Sequence, residues 1–327
     1  MTTELPLVSI VIPSYNQAQF LEEAILSVLN QDYPNIELII IDGGSTDYSV
    51  DIIRKYADRI AYWVSEPDQG PVDAINKGLA KCNGGFLGVL PSDDALLPDA
   101  VSRKMAFFSA KPEVDFFYGD TEQIDSTGKR LFVRFGNNLP YREWVRTCTM
   151  PIAVHSSLWK RSVMQQVGFW DIARGVASDW DFFLRVGLKC KMEYLPGIAG
   201  KFRYHPSSDS ATQQLQWVTL VPQMYEEYFS KNSLPKEIQV LKKEALANAH
   251  LYSTYILLDH APLKATVKEL MRALVAYPPI LFSGRFGKLV LSIALGQRGR
   301  ALCSIAKRRL KSTIMRKIRI CMPPFLP

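Results

Sequence analysis

Residues 7–12 read LVSIVI and run into Pro13-Ser14-Tyr15-Asn16. The same pattern returns twice: residues 36–41, IELIII, end in Asp42-Gly43-Gly44-Ser45, and residues 86–90, FLGVL, end in Pro91-Ser92-Asp93-Asp94. Each run is short and apolar, and the runs are mostly rich in β-branched residues, which reads as a strand buried on both faces. Helical stretches separate the three, so they form β-α-β units with parallel strands. In open α/β sheets ligands bind in the crevice beyond the carboxyl ends of the strands. Tyr15, Asp42, Asp93 and Asp94 fall there. Three carboxylates converging on one crevice call for a counter-charge, and a divalent metal carrying an anionic ligand supplies one.

Outward from these units the pattern stays legible. A first helix follows Asn16, read as its N-cap, with Phe20, Leu21, Ala24, Ile25, Val28 and Leu29 at helical spacing. A second opens at Ser45-Thr46-Asp47, a third strand covers 60–64, and a helix covers 72–82. Pro98 opens another helix that ends near Lys111-Pro112. Residues 116–124 and 130–135 read as an antiparallel hairpin, 178–187 as a helix, and 192–195 and 201–204 as two edge strands. Past about Gln213 only helices are expected, over 215–229, 236–258 and 263–276.

An apolar content of 47% with 22% charged residues is that of an ordinary folded protein. The net charge of +7 is unevenly spread: residues 278–327 hold eleven Lys/Arg and no acid, leaving 28 basic against 32 acidic residues in the rest. That asymmetry points the tail towards a polyanionic surface. Five scattered cysteines without a C-x-x-C argue against a disulfide framework or a zinc site and for a reducing compartment. The start of the chain lacks the marks of a signal peptide. No apolar stretch approaches the roughly 20 residues that a spanning helix needs.

Five blocks together resemble the family 2 glycosyltransferases of the GT-A fold: VSIVIPSYNQAQFLEEAILSVLNQDYPNIELIIIDGGSTD (8–47), EPDQGPVDAINKGL (66–79), LPSDD (90–94), ASDWDFFLRV (177–186) and RYHPSSDS (203–210). The resemblance covers about residues 5–210. It implies a GT-A type, Rossmann-like, mostly parallel sheet flanked by helices, followed by a C-terminal helical extension. The expected division is a catalytic domain over 1–230, with a nucleotide-sugar half at about 5–112 and an acceptor half at about 113–212. A helical extension over 231–277 and a basic amphipathic tail over 278–327 complete it.

The reaction so implied is inverting transfer of a sugar from a nucleoside diphosphate, with UDP the expected nucleotide, to a saccharide or lipid-linked acceptor. The leaving diphosphate develops charge that Mg²⁺ or Mn²⁺ would neutralise. By resemblance Asp94 is the metal ligand and Asp93 the acceptor of ribose hydrogen bonds. The pair would otherwise cap the helix at Pro98. Asp42 resembles the acid that reads the base, with Pro13 and Tyr15 packed beside it; turn chemistry with Gly43-Gly44 is the other role open to it. Asp68, Gly70, Asp73 and Asn76 form a second wall, with Gly70 permitting close approach of backbone to the nucleotide.

Inversion is an in-line displacement and needs a base opposite the leaving group. Asp179 matches that base, with N-capping as its alternative, and Asp181 pairs structurally with Arg185 at i+4. The family more often has an acid where Ser178 stands. His205 resembles a late histidine that touches the metal or diphosphate in some relatives. His155 and Trp180 are further contacts to the acceptor or diphosphate.

In the tail, Phe286, Leu289, Val290, Ile293 and Ala294, then Leu302, Ala306, Leu310, Ile314 and Ile318, keep helical spacing among basic residues. This profile suits an interfacial helix on an anionic membrane; a helix packed on the protein is the alternative. The reading places the chain in the cytoplasm, peripheral on the inner face of the cell membrane, with no nucleic-acid partner because no recognition module accompanies the charge. A dehydrogenase lacks its G-x-G-x-x-G here. A nucleotidyltransferase would need a Gly-rich or basic triphosphate loop where PSYNQAQ stands. A silent binding or scaffold protein would have no use for both Asp94 and Asp179.

Overall fold

The computed structural model describes residues 5–134, 136–231 and 233–296. Nine strands form one mixed sheet: β1 (Val8–Ser14), β2 (Ile36–Asp42), β3 (Tyr62–Ser65), β4 (Phe86–Val89), β5 (Ala95–Leu96), β6 (Phe116–Ile124), β7 (Arg130–Arg134), β8 (Ser157–Lys160) and β9 (Met192–Arg203). The helices in chain order are α1 (Ala18–Leu29), α2 (Ser49–Lys55), α3 (Pro71–Lys81), α4 (Ala100–Ala110), α5 (Tyr141–Thr147) and α6 (Arg161–Val167). They continue with α7 (Ser178–Lys189), α8 (Asp209–Thr212), α9 (Trp217–Ser230), α10 (Lys236–Gln239), α11 (Lys242–His260) and α12 (Leu263–Ala276). The chain divides into two compact units. One takes in Met1–Asn138 and Pro151–Ser208; the other takes in Leu139–Met150 and the chain from Asp209 on.

In the first unit the strand order is β3-β2-β1-β4-β8-β6-β9-β5, with β7 added on β6. β3, β2, β1 and β4 are parallel, as their β-α-β spacing requires. β6 and β9 share that direction, while β8, β7 and β5 run against it. The sheet is therefore mostly parallel, with the antiparallel strands confined to its second half. Every residue of β1 is buried, the mark of a strand covered on both faces. Leu21, Ala24, Ile25 and Val28 of α1 share its core. α3 approaches so closely that a Cβ on Gly78 would stand 2.3 Å from Val11 Cγ1.

Four local details differ from the sequence reading. Asn16 is not the N-cap of α1, which starts at Ala18 after Gln17. Asn16 takes a left-handed φ of 52°, which asparagine tolerates, and its Oδ1 accepts the Thr46 N–H at 2.8 Å, joining two loops at the carboxyl edge of the sheet. Pro98 does not open α4, which begins two residues later; its carbonyl accepts the Asp32 N–H instead. The two expected edge strands at 192–195 and 201–204 are one strand, β9, lying between β6 and β5. Pro196-Gly197 reads as a break, but the strand absorbs it as a register shift against Gly119-Asp120. Buried Asp120 holds the bulge: it accepts from Gly197 N–H at 3.1 Å, Tyr194 O–H at 2.7 Å and Gly136 N–H at 2.8 Å. The helix expected over 236–258 is two, α10 and α11.

The second unit is helical. α11 buries residues on many sides, Ala245, Ala247, Asn248, Ala249, Leu251, Ser253 and Thr254 among them, and the small size of its alanines, serine and threonine lets α5, α9 and α12 close around it. Arg146 of α5 pairs with Glu143 at 2.6 Å and Glu244 at 2.5 Å. Residues 284–296 are helical. Their Phe286 and Leu289 join Ala247, Leu251, Leu270, Ala273 and Ile280 in one apolar core, with Ile293 packed against it. These are three of the side chains that the interfacial reading of the tail would have spent on lipid. Val290 and Ala294 of the same reading are exposed, and its part from Arg298 through Leu302, Leu310 and Ile318 lies outside the described residues.

Candidate active site

Two groups of carboxylates sit just beyond the carboxyl ends of the parallel strands. The first is built by β1, β2 and β3, whose register sets Ser14 beside Asp42 and Asp42 beside Ser65. Asp42 is fully buried. Its Oδ2 accepts from Ser45 N–H at 2.8 Å and Ser65 Oγ at 2.7 Å, and its Oδ1 from Ser45 Oγ at 2.6 Å. The turn role of Asp42 is thus realised in full. Pro13 lies within β1 and is buried, while Tyr15 turns outward and is exposed. The more accessible carboxylate here is Asp68, which the Gly43 Cα faces and which accepts the Gly70 N–H at 2.8 Å. Burial raises its pKa above the ordinary carboxylate value, with Gly70's hydrogen bond opposing. Gly70 has φ of 100°, a region that glycine enters without penalty. Asn76 is a clamp: its side chain exchanges two hydrogen bonds with the Trp170 backbone, at 2.8 and 3.0 Å.

The second group follows β4. The turn Pro91–Asp94, closed by Asp94 N–H to Pro91 O at 3.0 Å, presents Asp93 and Asp94 in different directions. Asp94 is fully buried and its Oδ1 accepts the Arg203 N–H at 2.8 Å. Its Oδ2 lies 2.9 Å from His155 Nδ1 but out of hydrogen-bonding alignment, and no group among the described residues hydrogen-bonds to that oxygen. The His155 ring is fixed on every side. Its Nε2 lies 3.2 Å from Thr121 Oγ1, its face stacks on Phe202, and a Cβ on Gly200 would come within 2.9 Å of its Cδ2. Asp93 faces His205: Oδ2 is 3.1 Å from Nε2, while Nδ1 is 2.9 Å from Ser207 Oγ. Burial first, and then the charge of Asp94, raise the Asp93 pKa; His205 acts against them. Four side chains expected as separate contacts, Asp93, Asp94, His155 and His205, are thus brought together as two carboxylate–imidazole pairs.

Arg203 is the residue that sequence reasoning passed over. Besides its backbone bond to Asp94, its buried guanidinium donates to Asp93 O at 2.9 Å, pairs with Glu23 of α1, and lies 4.7 Å over the Phe20 ring. The signal was present, since Arg203 stands two places before His205 in a block already quoted. Its function is only visible once β9 runs alongside the Asp93-Asp94 turn.

Asp179 sits in the first turn of α7 and is half-buried. Its Oδ1 accepts the Trp180 N–H at 2.6 Å, and Ala177, not Asp179, occupies the N-cap. Burial lifts its carboxyl to about 6, against the Trp180 hydrogen bond and the positive charge of Arg134 on β7. Asp181 bonds to Arg185 Nε at 2.8 Å, the i+4 pair that the spacing implies. The Trp180 ring is buried, and so offers no open face for stacking.

A family model described as Glycosyl transferase family 2 matches residues 9–164. An uncharacterized glycosyltransferase of Mycobacterium tuberculosis is 32% identical over 195 residues, covering 58% of this chain and 72% of that protein. One from Haemophilus influenzae is 43% identical over 106 residues, which span 32% of this chain and 42% of its own length. One from Rickettsia felis is 28% identical over 214 residues, 63% of this chain and 35% of its own. The chain therefore spans less than half of these last two relatives.

Among solved structures, S. aureus TarS 1-349 in complex with UDP superposes with a TM-score of 0.62 at 16% identity, covering 88% of this chain and 87% of that one. The mannosyltransferase PcManGT from Pyrobaculum calidifontis, in complex with GDP-Man and Mn²⁺, gives 0.59 at 18% identity, covering 96% and 89%. At such identities the likeness is one of fold. The relation to the mycobacterial protein reaches further, because it extends over most of that protein's length, and on it this chain belongs to glycosyl transferase family 2.

Proposed function

We propose that the first unit transfers a sugar, with inversion, from a nucleoside diphosphate donor, most simply a UDP-sugar, to a saccharide or lipid-linked saccharide. The observation that carries this reading is the Asp93-Asp94 turn beyond β4, where one buried Asp94 oxygen has no hydrogen-bond donor among the described residues and only the misaligned His155 ring beside it. A buried anionic oxygen without a donor is costly unless a cation meets it. The carboxylate oxygens of the turn suit Mg²⁺ or Mn²⁺. Asp94 would hold the metal through Oδ2, with His155 beside it and His205 reaching the same turn through Asp93. Among the described residues no three His, Cys, Asp or Glu side chains form a ready metal cage. That arrangement suits an ion that takes its remaining ligands from water and phosphate. When bound, the metal would neutralise the charge that develops on the leaving diphosphate.

The chain's own residues supply the rest. Asp93 accepts from the ribose hydroxyls, Gly70 lets the backbone approach the nucleotide, and Asp42 or the more open Asp68 receives the base. Asp179 accepts the proton of the attacking acceptor hydroxyl, which requires it to be ionised. Its place at a helix N-terminus and the charge of Arg134 favour that state, while burial keeps its basicity close to neutral pH. UDP, UDP-GlcNAc and GDP-Man are the ligands of the structural neighbours; the donor of this chain is to be found by assay. A panel of nucleotide sugars, scored for release of free nucleoside diphosphate with and without Mn²⁺, tests the reading. No release from any donor with a broad set of saccharide acceptors would overturn it.

A further inference from the structure

α12 presents a second kind of surface. Leu263, Val267, Met271 and Val275 follow one another at four-residue spacing and are 63%, 39%, 51% and 80% exposed. The helix already has a packed face, made by Thr266, Glu269, Leu270 and Ala273, so the stripe lies on the side turned away from the helical core. Directly after the helix, Leu281 and Phe282 add two more exposed apolar side chains, at 51% and 88%. Scattered exposed leucines need no explanation, but a continuous row along a helix does.

The charges beside the row indicate its partner. Lys264, Lys268 and Arg272 each follow a stripe residue by one position and run along its flank. The single acid of α12, Glu269, is buried and bound to His250 and Arg272. No other Asp or Glu occurs between residues 261 and 296. Residues 261–296 thus present apolar and cationic side chains and no exposed carboxylate of their own, Asp259 at the end of α11 being the nearest exposed acid in the chain. The central parts of protein interfaces are depleted in lysine, and a symmetric pairing of this face with itself would set cationic side chains against the cationic side chains of the copy. An anionic bilayer meets both properties at once: the stripe enters the acyl boundary while the lysines reach the headgroups. Among the described residues no helix is long and apolar enough to cross a membrane, so contact would be in the plane of the interface.

We propose that α12, with Leu281 and Phe282, is a docking face for an anionic lipid surface. This stands independently of the transferase reading. The test is sedimentation of the full chain with phosphatidylcholine vesicles, with and without phosphatidylglycerol, at low and high salt. Binding is expected to require phosphatidylglycerol and to weaken with salt. Met271→Ser with Val275→Ser should weaken it about tenfold or more, and Lys264→Gln with Lys268→Gln about fivefold per lysine, each with unchanged melting temperature. Phe282→Ser, outside the helix, gives the same reading without touching α12. Equal sedimentation of wild type and the Met271/Val275 variant would overturn the proposal, as would equal binding to neutral vesicles. A dimer in light scattering that the same variant dissociates would assign the face to a second copy and overturn it too.

Discussion

The proposed reaction turns on two carboxylates in opposite predicaments. Asp179 is pushed up to about 6 by burial from an ordinary 3.8. A general base works ionised, so turnover should rise with pH through about 6 and drop about tenfold per unit below it. Stability runs the other way. The folded chain holds this proton more tightly than the unfolded chain does, so the contribution is present in acid and fades between about 4 and about 6 as pH rises. Asp179→Asn should keep UDP binding, lose about 10²–10⁴-fold in turnover, and at neutral pH be no less stable than wild type. Paired rate profiles and melting curves check this; a pH–rate profile flat from 5 to 7 would remove Asp179 as the titrating base. On the proposed reading Asp94 has the reverse need, for a cation. Asp94→Asn should abolish the Mn²⁺ dependence of UDP affinity by calorimetry. His155→Gln, which removes the ring beside Oδ2, should lower the Mn²⁺ affinity about 10–100-fold. Mn²⁺-dependent UDP binding that survives both changes intact would place the ion elsewhere.

At the level of elements, close packing sets what α3 can do. Alanine favours a helix over glycine by about 1 kcal/mol, yet Gly78→Ala should destabilise by about 1–3 kcal/mol, because its Cβ would overlap Val11 Cγ1. Urea unfolding measures it, and Gly78→Ala with Val11→Ala should recover most of the loss through their coupling. A single Gly78→Ala as stable as wild type would show that α3 is free to shift off β1. The same scale explains what the sequence disclosed. Runs such as VSIVI and IELIII read as strands because short, β-branched, apolar runs fit a strand buried on both faces. The sequence of β9 reads as two strands because Pro196-Gly197 is a local stop signal, and the buried carboxylate of Asp120, 77 residues before Gly197, carries the strand through it. β8 gave four residues and no period, too little to be read.

For the whole chain, the segment 278–296 belongs to the helical core through Ile280, Phe286 and Leu289. Phe286→Ala should cost about 3–5 kcal/mol in urea unfolding, and truncation after Tyr277 should lower the melting temperature by removing all three. If truncation leaves the melting curve unchanged, that packing does not contribute to stability. Sequence alone determined the strand–helix alternation, the crevice and most of its candidate residues, because buried strands, turn residues and acidic pairs carry their chemistry locally. It could not determine which face of an amphipathic segment is covered: the spacing of Phe286, Leu289 and Ile293 serves lipid or protein equally well. It could not pair His155 with Asp94, 61 residues away, or His205 with Asp93, 112 residues away. Those contacts arise where β9 and the loop before β8 meet the end of β4. Nothing in the local sequence records that meeting, since it is set by the register of strands far apart in the chain.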